Sequence, residues 1–168
     1  MADILTTYAD ALFANQQEPS TKEIEGQGGR RLKNLPEFII VADSETSGLS
    51  FDSDRIVTFF IGKMNQAGEW VETHEWLLNP EMEIPEQASA VHGISTEKAI
   101  AEGTDFKQGI VEIAGKLFDD KEYPLVFQNA PFDLTMLDRN LRQAGVPNGI
   151  DNLIAKVNVL DTLVADRW

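Results

Sequence analysis

Apolar positions recur along the chain with two different periods, and the change of period sketches the architecture. Ile4, Leu5, Tyr8, Leu12 and Phe13 fall at helical spacing, which predicts an amphipathic helix over residues 3–14, within an N-terminal element of residues 1–14. Residues 15–36 are polar and Gly-rich with almost no periodicity, so they read as a flexible linker. From residue 37 the pattern changes. Residues 37–43, EFIIVAD, hold a continuous apolar run suited to a central strand covered on both faces. RIVTFFIGK (55–63) and WVETHEWLL (70–78) are β-rich runs joined by Asn-Gln-Ala-Gly, a hairpin turn signal. After Pro80 and Pro85 come two short helices around VHGIS within 86–101, then a longer helix beginning at Thr104, read as its N-cap. YPLVFQ reads as a strand, PFDLTMLDRNLRQAG as a helix with Pro131 in its first turn, and KVNVLDT as a last strand. The order βββ, α, β, α, β predicts an α/β domain over 37–168, a mixed sheet with flanking helices.

Composition narrows the class without naming it. A chain of 168 residues with 42% hydrophobic and 25% charged residues is an ordinary globular domain. No apolar stretch reaches bilayer-spanning length and the N-terminus lacks the features of a signal peptide, so the expected location is cytoplasmic. With no cysteine, disulfides and thiolate metal sites are excluded. The net charge of −14 argues against binding nucleic acid through a broad basic surface. It leaves room for a nuclease, because acidic side chains that hold divalent cations become a local positive site.

The candidate chemistry begins where the first apolar strand runs out. Asp43 and Glu45 are separated by one serine, so a continuing strand would point both the same way. Two adjacent carboxylates repel unless they share a proton or a cation, and hard oxygen ligands of this kind suit Mg²⁺ or Mn²⁺. Such pairs arise by chance in an acidic chain. A second acid strengthens the signal: Asp133 falls in the first turn of a helix that follows another short strand, although an acid there also complements the helix dipole.

Asp43-Ser-Glu45-Thr46-Ser-Gly48, His92-Gly-Ile94 and Asn129-Ala-Pro-Phe-Asp133 together resemble the DnaQ-like 3′→5′ exonucleases of the DEDD superfamily. That family includes proofreading subunits of bacterial replicative polymerases and enzymes of the oligoribonuclease and RNase T types. The resemblance spans roughly residues 37–166 and implies an RNase H-like fold. It implies that Asp43, Glu45 and Asp133 are catalytic ligands of two Mg²⁺ or Mn²⁺ ions, one activating water and the other stabilising the departing 3′-oxygen. It also implies that Thr46 meets the terminal 3′-hydroxyl, Leu49 wedges against the base and His92 lines the nucleotide pocket. Asn129, a further substrate-side residue, reads better as a brace of the strand-to-helix turn, and a structural turn before Gly93 accounts for His92 equally well. Gln128 stands where the family often has histidine. The implied partner is the 3′ end of a single-stranded nucleic acid, with a DNA polymerase as a further partner.

One part of the pattern is missing. The family's third motif supplies a general-base histidine and a fourth carboxylate, whereas the only histidines here, His74 and His92, both precede Asp133. The expectation is a fold lacking its C-terminal part and a chain inactive on its own, since general-base help is worth roughly 10²–10⁴-fold. The alternative is an inactive module of the same fold that binds nucleic acid or a polymerase. Asp161 reads as the N-cap of a following helix.

Overall fold

The computed structural model describes residues 36–165. The expected N-terminal helix (1–14), the linker as far as residue 35 and residues 166–168 lie outside that range. Six strands form one sheet: β1 (Phe38–Thr46), β2 (Ile56–Asn65), β3 (Trp70–Asn79), β4 (Thr104–Asp105), β5 (Leu125–Phe127) and β6 (Val159–Asp161), in the order β4-β3-β2-β1-β5-β6. β1, β2 and β3 are antiparallel neighbours, and β5 and β6 continue the sheet parallel to β1. This is the mixed, RNase H-like sheet expected, with one strand more. The extra strand, β4, is two residues long and pairs with Leu78 and Asn79, too short to leave a periodicity in sequence.

That strand moves a helix start. Thr104 is in β4, and the cap of the following helix is Asp105, whose side chain accepts from the Gln108 N–H at 3.0 Å. The helices are α1 (Glu86–His92), α2 (Thr96–Glu102), α3 (Phe106–Asp119), α4 (Ala130–Gln143), α5 (Asp151–Ile154) and α6 (Thr162–Ala165). α5 was not expected. The hairpin turn forms as its residues demand: Asn65 Oδ1 accepts from the N–H groups of Ala67 and Glu69, and Gly68 takes the left-handed conformation at φ 80°.

β1 has no solvent-facing side over Ile39–Ala42, all four of which are buried. Ile40 and Ala42 join Phe59, Ile61 and the apolar faces of α3 and α4 in the main core. Ile39 and Val41 face the other way, with Met64, Val126 and the rings of Phe60 and Trp70. That second face is lightly covered, and α1 and α2 flank it where Ala88, Ile94 and Ala99 pack with Val57, Leu77 and Ile84.

A buried amide fastens α4 to the sheet. Asn140 is fully buried; its Oδ1 accepts from the Ile56 N–H at 2.8 Å and its Nδ2 donates to the Asp54 carbonyl at 3.3 Å. Replacing it would strand both backbone groups in the core. Asn140→Ala should therefore lower stability by about 1–3 kcal/mol, read as an earlier midpoint in urea unfolding.

Candidate active site

The site forms where the burial of β1 lapses. β5 pairs with β1 only at Ile40–Leu125 and Val41–Val126, so one edge of β1 is free by Ser44. The strand nevertheless continues to Thr46, and the pleat carries Asp43 and Glu45 onto the lightly covered face and Ser44 onto the helix face. Asp43 sits opposite Phe60, and Glu45 opposite Thr58. Between Glu45 and Thr46 the register with β2 shifts, a bulge that ends regular pairing beside the two acids.

Asp43 and Glu45 line a cleft of about 690 Å³ together with Phe60, Trp70, His92 and Lys98. Phe60 and Trp70 meet edge to face with centroids 5.5 Å apart. A Cβ on Gly62 would strike the Trp70 ring, so the indole lies against bare backbone. His92 ends α1, just before Gly93 at φ 77°. Its Nδ1 accepts from the Ile94 N–H at 3.2 Å, which puts the ring proton on Nε2. Nε2 is buried without a hydrogen-bond partner. Burial lowers the pKa of this ring, with the nearby Thr46 backbone acting the other way. His92 thus accepts within its own turn and also lines the cleft.

Asp133 approaches β1 from the other face. It is buried in the first turn of α4, and its Oδ1 accepts from the Ser44 N–H at 3.0 Å and from the Ser44 hydroxyl at 2.6 Å. It does not line the cleft itself. Its charge and that of Asp43 nevertheless interact. Burial first, then repulsion by Asp43, push Asp133 up to about 7, against the pull of the Ser44 hydroxyl. Burial and the Glu45 charge push Asp43 up to about 6, and burial also raises Glu45.

The remaining expected residues are more scattered. Thr46 spends its hydroxyl on the Gly48 carbonyl at 2.6 Å. Leu49 is 81% exposed, at the tip of a loop stapled by Asp54, which accepts from Ser47 Oγ and the Ser50 N–H. A side chain on Gly48 would collide with that Asp54 carboxylate. The ring of Phe51 from this loop meets Phe132 of α4 at 5.7 Å, tying the first acidic segment to the second. Asn129 is exposed and left-handed (φ 66°), and it braces the turn through its backbone, its carbonyl accepting from the Phe132 N–H and its own N–H donating to Asp161. Asp161 Oδ1 also accepts from the Leu163 N–H, the N-cap read from sequence. His74 lies far from this chemistry on the helix face of β3, bonded to Glu72 at 2.6 Å and stacked on Trp76.

Sequence reasoning passed over Ser44 and Asn140. The one signal for Ser44 was its place between the two acids. Among the described residues, no three His, Asp or Glu side chains are gathered into a group ready to hold an ion. The two acids that share the cleft, Asp43 and Glu45, are oxygen donors of the kind divalent cations prefer.

No protein-family model and no curated protein matches this chain. Solved structures do. Exonuclease I of E. coli in complex with a dT13 oligonucleotide is similar with a TM-score of 0.68 at 16% identity, covering 79% of this chain and 29% of that one. A product-bound exonuclease I structure gives 0.69 at 16% identity, over 79% and 31%, and an ExoI/SSB-Ct complex gives 0.68 at 16%, over 79% and 30%. The chain thus spans about three-tenths of the length of those proteins, and what it shares with them is the fold. No helix among the described residues is long and apolar enough to cross a membrane.

The shift at Asp133 has a measurable sign. A carboxyl whose folded pKa lies above its unfolded value favours folding in its protonated form, a contribution present below the unfolded value of 3.8 and lost as pH rises through about 7. Asp133→Asn keeps an acceptor for Ser44 without the charge. In metal-free buffer at pH 8 it should melt higher than the unsubstituted protein, by on the order of 5 °C, and at pH 4 the difference should vanish.

Proposed function

We propose that the chain is the carboxylate-bearing part of a divalent-metal-dependent 3′→5′ exonuclease that hydrolyses phosphodiester bonds at the 3′ end of single-stranded DNA or RNA. The observation that carries this reading is the meeting, through Ser44, of two acidic segments 89 residues apart, on a fold shared with exonuclease I. That one of those structures holds a dT13 oligonucleotide supports a single strand as the substrate class. Asp43, Glu45 and Asp133 would hold the metal, Mg²⁺ or Mn²⁺. When bound, such ions lower the pKa of water and neutralise charge on the scissile phosphate.

The chain's own residues account for the rest. Asp43 and Glu45 present their carboxylates to a cleft whose aromatic wall offers apolar contact for a base. His92 keeps its ring proton on Nε2, which is buried. It cannot serve as the base in that state, because the lone pair on Nδ1 is taken by Ile94. His74 is on the wrong face. Turnover by these 168 residues alone should therefore be slow, by roughly the 10²–10⁴-fold that a general base supplies. Thr46 and Leu49 would contact the terminal nucleotide, and Asn129 would shape the turn that delivers Asp133.

The test is a 5′-labelled single strand incubated with the protein and Mn²⁺. The expected result is slow shortening from the 3′ end, accelerated by imidazole as an external base and abolished in Asp43→Ala. Activity that survives in that variant overturns the role given to Asp43. Strand binding with no shortening in Mn²⁺, with or without imidazole, identifies a binding module of the same fold.

A further inference from the structure

The two faces of the sheet are covered unequally. Ile40, Leu125 and Val159 pack into the main core with α3 and α4. Their neighbours face the other way: Leu160 pairs with Val126, Val126 with Val41 and Val41 with Gly62, an almost wholly apolar row that crosses four strands. Ile39 and Met64 form the next row towards the β2–β3 hairpin. Among the described residues, the partly buried apolar side chains packed against Ile39, Val41, Met64 and Val126 are the rings of Phe60 and Trp70, which come from β2 and β3. α1 and α2 pack further along, at Val57, Leu77 and Ile84. At the β6 end of the row Leu160 is 43% exposed. Strands that pair in parallel, as β1, β5 and β6 do, ordinarily carry a layer on each face, and the second layer here stops short of β6.

We propose that the chain's own N-terminal segment fills this place: residues 3–14, as an amphipathic helix, dock across the Ile39 end of the second face, from Trp70 to Leu160. Ile4, Leu5, Tyr8 and Leu12 supply the apolar stripe. Twelve residues make a helix about 18 Å long, and the four strand spacings from β3 to β6 come to about 19 Å. The described chain starts beside the seat. The Pro36 carbonyl accepts from Gln66 Nε2 at 3.1 Å, which holds residue 36 at the β2–β3 hairpin, and Ile39 follows three residues later. Residues 15–35 reach roughly 70 Å when extended, so the connection imposes no strain. Charge selects the end of the face: residues 3–14 carry Asp3 and Asp10 and no Lys or Arg, and Asp43 and Glu45 repel them from the other end. A helix this short is marginal in water without a surface to pack on. Being tethered, it also outcompetes a second copy or a free partner for the same place. Docked there, the helix completes the second layer and leaves Asp43 and Glu45 uncovered.

The chain has no cysteine, so two introduced ones can carry spin labels at chosen positions for a distance measurement in the full 168-residue protein. Asp10→Cys, on the polar side of the helix, and Asn158→Cys, one residue before β6, should give a single narrow distance distribution in place of the broad one expected of a segment on a coil leash. Adding Leu5→Asp and Leu12→Asp should broaden it, since the apolar stripe is then broken. Leu160→Asp, at an exposed position of the seat, should broaden it as well, with circular dichroism showing that the sheet remains folded. The helix substitutions lie outside the sheet, so they decide the matter even if Leu160→Asp does not fold. A broad distribution in the parent overturns the inference, and so does a narrow one that survives Leu5→Asp with Leu12→Asp. Persistence of the narrow distance in folded Leu160→Asp places the helix elsewhere and overturns the seat. A narrow distance between singly labelled chains mixed together assigns the face to a second copy, which overturns it too.

Discussion

Burial of β1 on both of its faces is the constraint from which the site follows. Ile39–Ala42 can be placed only with apolar partners above and below, which forces helices onto one face and the Phe60–Trp70 pair onto the other. That double cover also makes the register rigid, because slipping by one residue would exchange every side chain between two unlike environments. Past Ala42 the same pleat keeps counting while the cover thins. Asp43 and Glu45 inherit the face of Ile39 and Val41, and Ser44 inherits that of Ile40 and Ala42. One tripeptide thus sends two carboxylates into a cleft and a hydroxyl to the helix behind it.

Two acids away from the cleft are paired with bases: Glu72 is held low by His74 and Lys116, and Asp138 is held low by Arg142 despite its partial burial. Such exposed pairs add little to stability. Around the end of β1 three shifts run upward: Asp43, Glu45 and Asp133 are raised by burial, the first and last also by a neighbouring negative charge. A chain carrying a net charge of −14 had many places to put carboxylates, and three that sit where ionisation is costly are the feature on which the proposed function draws. A proton relieves that cost at low pH; a divalent cation would do so at neutral pH.

Second-motif geometry depends on small packing details. Asn129 adopts a left-handed backbone, its N–H is taken by Asp161, and the Phe51–Phe132 ring contact closes the first acidic loop onto α4. Asn140 then pins the same helix to the start of β2. The aim of Asp133 is therefore set from several directions, and a side chain on a helix so held is placed more reliably than one on a loop.

The sequence determined the elements whose burial is periodic: the double-covered first strand, the hairpin turned by Asn65 and Gly68, the two long amphipathic helices, and the shared direction of Asp43 and Glu45, a consequence of the two-residue repeat alone. It also marked Asp133 and Asp161 as helix-start acids, because capping is a local interaction between residues close in the chain. What is not local had to wait for the fold. β4 exists only because Leu78 and Asn79 offer an edge, so the helix is capped by Asp105 rather than Thr104. The burial that raises Asp43 and Asp133, the partnerless Nε2 of His92 and the grip of Ser44 on an acid 89 residues away are products of packing. No spacing along a chain encodes them, since dielectric environment and hydrogen-bond partner are properties of the space around a residue, and only the tertiary structure supplies that space.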